Sequence, residues 1–315
     1  MKKIPAILAV LSLAFALLLC FSACSGSSTS SQRPSETETP SGNTESATPG
    51  STTQNPTNSD GSSIVLTEGG ADGGTSGAVV ENGIVSITKP GSYEISGTTS
   101  SGGIVVLVDK TEQVELVLNN VSITNPNGPA IYCDSADKLF ITAKEGTVNT
   151  LKDGKNYPDG DTGPNATLYS DDDLTIRGSG TLNVIGVFKN GISSKNDIKI
   201  HDLTLNVEAV NTGIRGKYSV TVESGTLDIQ AGNDGIKSTE EITEGKGYVE
   251  ITGGTITIQA GDDGLQASVL LTVSGGKITV TAMGKVTNAP TENITPGIIS
   301  VSYTHLRAHE TVLDL

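Results

Sequence analysis

The sequence predicts an all-β chain, a single-stranded parallel β-helix (a solenoid) with coils of about 22 residues, and three observations carry that expectation. A Gly-apolar pair recurs as Asn190-Gly191-Ile192, Thr212-Gly213-Ile214, Asp234-Gly235-Ile236 and Asp263-Gly264-Leu265, spaced 22, 22 and 29 residues apart. Two further apolar ladders keep step with it. One runs Leu174/Ile176, Ile198/Ile200, Val220/Val222, Val249/Ile251, Leu271/Val273; the other runs Leu182/Val184, Leu205/Val207, Leu227/Ile229, Ile256/Ile258, Ile278/Val280. Each coil thus offers three short runs of period-2 alternation separated by Gly, Asn and Asp. A hairpin-built sandwich or propeller has no reason to repeat one three-strand frame in register.

The elements follow in chain order. Lys2 and Lys3, an apolar run from Ile4 to Phe21, and the small Ser22 and Ala23 before Cys24 read as an export signal over residues 1–23. Phe21-Ser22-Ala23-Cys24 resembles a bacterial lipobox with Phe in place of the usual Leu, so Cys24 is expected to be lipidated and to anchor an extracellular body to the cell membrane. An uncleaved anchor is the alternative, and the apolar run is short for a span. Residues 24–62 are Ser, Thr, Pro, Asn and Gly with almost no aliphatic side chain, a tether whose ordering would cost entropy without return. The β-helix domain is expected over 63–300, with the repeat best defined over 128–285. Two excursions interrupt it, one from Lys152 to Asn165 and one from about Glu240 to Lys246.

The last residues, 301–315, break the frame. They hold His305 and His309 in the string Ser302-Tyr303-Thr304-His305-Leu306-Arg307-Ala308-His309-Glu310, which resembles adapter read-through and is expected to be a non-native tail, a natural disordered tail being the alternative. A helix cut there would leave an unpaired strand edge near Ile278 to Met283, and such edges aggregate; the full-length protein is expected to be monomeric.

A net charge of −15 repels nucleic acid and anionic lipid alike, so no nucleic-acid partner is expected, and a polyanionic ligand would need a bridging cation. Cys20 lies in the signal and Cys24 in the lipobox, which leaves Cys133 without a disulfide partner. Beside Ile131 and Tyr132 it reads as a small buried hydrophobe rather than a nucleophile.

Neighbouring coils stack about 4.8 Å apart, so the repeat shows which polar residues lie above one another. Thr212, Asp234 and Asp263 share one column, and Asn211, Asn233 and Asp262 share the next. Calcium takes oxygen ligands at about 2.3–2.6 Å, so one ion reaches two carboxylates stacked at that spacing. The metal candidates are therefore Asp234, Asp262, Asp263, Asn233 and Asn211, with Ca2+ the expected ion. An Asn/Asp turn ladder without metal is the competing reading. The acidic run Asp171-Asp172-Asp173 aligns with Lys195 and Lys217, for which salt pairing is the simpler account. The Lys152–Asn165 excursion, with Asp153, Asp159 and Asp161, reads as a ligand-binding loop or a solvated one.

After the repeated Gly, Arg215, Lys237 and Gln266 share a column and Lys195 and Lys217 another, forming a basic strip of candidate ligand contacts. In lyases acting on acidic sugars a cation neutralises the uronate carboxylate and a nearby Lys or Arg removes the adjacent proton. Lys237 or Arg215 would be that base.

The residues also carry a family resemblance. Asn119-Asn120-Val121-Ser122-Ile123, Ala130-Ile131-Tyr132, Glu145-Gly146-Thr147-Val148-Asn149-Thr150-Leu151, Asp173-Leu174-Thr175-Ile176, Gly191-Ile192-Ser193-Ser194-Lys195 and Asp234-Gly235-Ile236-Lys237-Ser238 together resemble the secreted carbohydrate-binding β-helix family, itself similar to calcium-dependent pectate lyases. The resemblance covers residues 63 to about 285. It implies a right-handed β-helix, bound calcium and non-catalytic binding of plant cell-wall polysaccharide such as cellulose or polygalacturonate. Where that family has an Asp-Asp-Gly-Ile turn and a Gly-Lys-Asp step, this chain has Asn211-Thr212-Gly213-Ile214 and Gly216-Lys217-Tyr218, so one calcium position is expected to be weak or absent. The absence of Trp disfavours a flat aromatic platform for crystalline glucan, and an acidic sugar fits better. A pectate-type lyase and a structural surface adhesin or spacer are the alternatives.

Overall fold

A computed structural model describes residues 62–301, apart from 69, 73–75 and 159. The expected signal, Cys24, the tether up to residue 61, and the tail from residue 302 lie outside the described residues. Within them the chain is all-β, with no α-helix and one short 3-10 turn at Gly160–Thr162. The strands form two sheets, one of 18 strands and one of 10. Pairing is parallel except for Ser62–Thr67 with Gly70–Asp72 and Ala78–Glu81 with Ile84–Ile87, both near the start.

The sequence ladders are sheet registers. In the smaller sheet Leu168, Ile192, Ile214, Ile236 and Leu265 pair in succession, each with its counterpart one frame on. In the larger sheet Leu174, Ile198, Val220, Val249 and Leu271 pair in turn, as do Leu182, Leu205, Leu227, Ile256 and Ile278. All of these are at most 1% exposed, so like side chains stack on like in one continuous core. Burial of each contributes roughly 1.5–3 kcal/mol.

The repeated glycines have a steric cause. A Cβ on Gly191, Gly213, Gly235 or Gly264 would stand 2.4–2.5 Å from a methyl of Val207, Ile229, Ile258 or Val280 respectively. It would also stand 2.6–2.9 Å from the carbonyl oxygen of Gly213, Gly235, Gly264 or Val286 respectively. No side chain fits between these ladder residues and the backbone of the next frame.

Buried polar groups are held by specific partners. Asn120, at φ 56°, is the extra residue of a bulge where Ser96 pairs with Asn119 and Gly97 with Val121. Fully buried Asn149 accepts the Val121 N–H at 3.0 Å and donates to Thr147 Oγ1 and the Thr181 carbonyl at 2.9 and 3.1 Å. Those contacts account for the Asn-Asn-Val and Thr-Val-Asn motifs as packing chemistry.

One expectation is corrected here. Residues Ile278–Val280 are not an open edge: they pair in parallel with Ile299–Val301, and Leu270–Val273 pairs with Thr291–Ile294. The frame continues beyond residue 285 because Ile278 and Val280 find partners in Ile299 and Val301.

Candidate functional site

The candidate site grows from the residue before each repeated Gly. Its side chain points along the stack and its Oδ1 accepts the N–H of the equivalent residue one frame on: Asn190 from Thr212 at 3.2 Å, Asp234 from Asp263 at 3.4 Å, and Asp263 from Lys285 at 2.8 Å. Asn190 caps one step and Asp234 and Asp263 two successive ones, while Thr212, which has no carbonyl or carboxylate oxygen on its side chain, stands between them. The two stacked carboxylates are 0% and 5% exposed at Asp234 and Asp263.

Their second oxygens face organic donors. Asp234 Oδ2 receives Lys237 Nζ at 2.8 Å and Asn233 Nδ2 at 3.2 Å; Asp263 Oδ2 receives Gln266 Nε2 at 3.0 Å and Asn288 Nδ2 at 2.6 Å. Asp262 stands beside them, exposed. One carboxylate oxygen from each of Asp234, Asp262 and Asp263 lies within 4.8 Å of the others. The sequence-predicted trio is therefore brought together. Asn233 joins it through its amide nitrogen, whereas Asn211 lies a frame earlier and donates instead to Asn190 Oδ1 at 2.9 Å. None of these Asn and Asp residues has a left-handed backbone, since the non-glycine residues with positive φ among the described residues are Asn82, Asn120 and Asp202.

The basic strip separates into paired and unpaired members. Arg215, Lys237 and Gln266 are in direct register. Lys195 is spent on Asp171 at 2.9 Å and Lys217 on Glu240 at 3.2 Å, as Lys237 is on Asp234. Arg215 has no carboxylate partner among the described residues; its Nη2 donates to Thr239 Oγ1 at 3.3 Å. Burial pushes its guanidinium below its ordinary value, against a smaller opposing effect of Tyr169. On the same register line lie Ser193, Tyr169 and Tyr132, the two tyrosine rings 5.7 Å apart.

The other acidic candidates resolve into structure. Asp172 pairs with Lys110 at 3.4 Å and Asp173 with Lys138 at 3.6 Å. Asp153 turns inward, 1% exposed, accepting the Val187 N–H at 2.5 Å and the Tyr157 hydroxyl at 2.9 Å. Burial raises its pKa despite those bonds. It anchors the Lys152–Asn165 excursion rather than lining a binding loop; the side chains of Asp159 and Asp161 lie outside the described residues. Cys133 is fully buried, and desolvation pushes its thiol up to about 12.

Gln266 and Asn288 escaped sequence reading as supports of Asp263. Their signal was present: Asp234-x-x-Lys237, Asp263-x-x-Gln266 and Lys285-x-x-Asn288 share one i,i+3 spacing.

Comparisons with known proteins bear on this geometry. A solved structure described as that of the polysaccharide lyase-like protein from C. thermocellum, gadolinium derivative, superposes with a TM-score of 0.74 at 38% identity, covering 77% of this chain and 100% of that one. A carbohydrate-binding domain-containing protein of Acetivibrio thermocellus is 44% identical over 128 residues, which is 40% of this chain and 45% of the relative, so the match spans less than half of that protein. The family model described as carbohydrate-binding domain-containing protein matches residues 81–312, well over half of the sequence. The chain belongs to the carbohydrate-binding domain-containing protein family.

Proposed function

We propose that this chain is a cell-surface lipoprotein, anchored through Cys24, whose right-handed parallel β-helix binds an acidic, plant-type polysaccharide with the help of calcium and without cleaving it. The observation that carries the reading is the convergence of Asp234, Asp262 and Asp263, together with Arg215, a part-buried cation in register with Lys237 and with no acidic partner among the described residues. The donor set fits calcium. Its atoms are hard oxygens, exposed Asp262 makes no ion pair among the described residues, and the spread of 4.8 Å suits ligand distances of about 2.3–2.6 Å. Gadolinium, named for the solved neighbour, is likewise a hard cation that takes oxygen ligands.

Asp234, Asp262 and Asp263 would hold the ion, with Asn233 and Asn211 next along the stack. Bound there, calcium would supply positive charge for a sugar carboxylate. Arg215 contributes a planar fork of donors suited to the same group, and its partial burial strengthens that contact relative to water. Lys195, Lys217 and Lys237 line the strip while neutralising Asp171, Glu240 and Asp234, which limits their attraction for an anion. Absent ligand and calcium, the column would serve a surface adhesin or spacer equally well.

Arg215 also supports a second reading, a pectate-type lyase. A base needs a lowered proton affinity and an unoccupied nitrogen; burial lowers that of Arg215, whereas Lys237 is held by Asp234. Release of unsaturated uronides, followed by ultraviolet absorbance, separates lyase from binder.

The test of the leading reading is thermal unfolding in calcium or chelator, each with and without polygalacturonate. At a hundredfold excess over Kd a ligand specific for the folded state raises Tm by about 5–10 °C in a domain of this size. The expected pattern is a rise with calcium that Asp262→Asn with Asp263→Asn abolishes, and a polygalacturonate rise that needs both calcium and Arg215. Absence of a shift with either ligand overturns the proposal. Loss of lipid labelling in Cys24→Ala checks the anchor.

A further inference from the structure

Beside the acidic column, and outside it, lies an open groove of about 600 Å³ that crosses the strands. One side is a register line running Ile185, Glu208, Gln230, Gln259 and Thr281. Glu208, Gln230 and Gln259 are exposed, and their side chains make no hydrogen bond among the described residues. The floor is the adjoining line of Ala209, Ala231 and Ala260, where nothing larger than a methyl intrudes. Val210 and Met283, 63% and 74% exposed, stand apolar on the opposite rim.

We propose that this groove binds a neutral polysaccharide chain lying across the coils, as a subsite independent of calcium. Amide groups recur along it at the inter-strand spacing of about 4.8 Å, a step comparable with the length of one sugar ring in an extended glycan. Gln230 and Gln259 each offer two donors and an acceptor to ring hydroxyls, and Glu208 and Thr281 extend the row at either end. The alanine floor and the Val210 and Met283 rims meet the C–H faces of the rings. Charge selects against acidic sugars: the lining residues include one carboxylate, Glu208, and no base, so a uronate would be repelled where a neutral glycan is not. The inference rests on the carbohydrate-binding family and on this geometry, not on the cation site.

Cellohexaose, xylohexaose and mannohexaose would be titrated calorimetrically into the full chain in excess chelator, with hexagalacturonate as the acidic counterpart. At least one neutral hexasaccharide should bind, and hexagalacturonate should not. Gln230→Ala with Gln259→Ala should weaken the neutral ligand about tenfold, as expected for two lost hydrogen-bonding groups. Val210→Asp should weaken it comparably, and Glu208→Gln should preserve it. Unchanged melting temperatures exclude misfolding of these surface variants. The groove proposal is overturned if no neutral hexasaccharide binds in chelator, or if binding survives both the double variant and Val210→Asp. Neither result bears on the calcium response, so this proposal and the cation site fail separately.

Discussion

Asp234 and Lys237, three residues apart, form a 2.8 Å ion pair in which the carboxylate is 1% exposed and the ammonium side chain 26%. Stacked carboxylates repel, and here each is given its own donors: a lysine for Asp234, two amides for Asp263. The column is thereby stable as a protein feature before any ion is considered. Lys237→Ala leaves a buried charge with the weaker Asn233 contact. It should lower unfolding free energy in chelator by about 1–3 kcal/mol, and calcium should narrow that deficit. Urea titrations in chelator and in calcium measure both.

Gly235→Ala should be among the costliest small substitutions. Its Cβ would stand 2.4 Å from Ile258 Cγ2 and 2.6 Å from the Gly264 carbonyl, and neither can withdraw without disturbing the next frame. A loss of about 2–3 kcal/mol is expected from such overpacking, read from the denaturation midpoint.

Asn149→Ala removes one acceptor and two donors from a site with no access to water. The Val121 N–H and Thr181 carbonyl then lose their Asn149 contacts, so a loss of about 2–4 kcal/mol is expected. Hydrogen exchange at Val121 should quicken in the variant.

Glu115 and Arg177 make the pH prediction. Burial would raise the Glu115 pKa, but the Arg177 guanidinium at 2.8 Å and the hydroxyls of Thr142 and Ser92 outweigh it, so the carboxyl lies below its ordinary 4.5. A depressed folded-state pKa contributes stability that is present above 4.5 and lost as pH falls through the folded value. Glu115→Ala should therefore cost about 2–3 kcal/mol at pH 7, and its deficit should shrink in acid below 4.5. Chemical denaturation of both proteins from pH 7 to pH 3 checks the sign.

Cys133 should resist alkylation in the folded protein at pH 8, because burial holds its thiol near 12, and should react once the chain is unfolded. Peptide mapping after iodoacetamide treatment, with and without denaturant, reads the outcome.

Sequence alone determined the spacing of the ladders, because stacking like on like imposes a period that survives in the order of residues. It therefore identified Ile192, Ile214 and Ile236 as one column and brought Asp234, Asp262 and Asp263 into reach of one another. Tertiary structure decided what each polar group does with its neighbours. The repeated glycines read as turn residues, yet contact with Val207, Ile229, Ile258 and Val280 is what excludes a side chain there. Four basic residues read as one strip, yet three are neutralised by Asp171, Glu240 and Asp234, leaving Arg215 without an acid among the described residues. The edge expected at Ile278 is covered by Ile299–Val301, whose sequence continues the frame too weakly to be recognised. Periodicity records which residues share a column; the partners and voids between columns depend on side-chain directions and on chain arriving from other frames, and those exist only once the strands are packed.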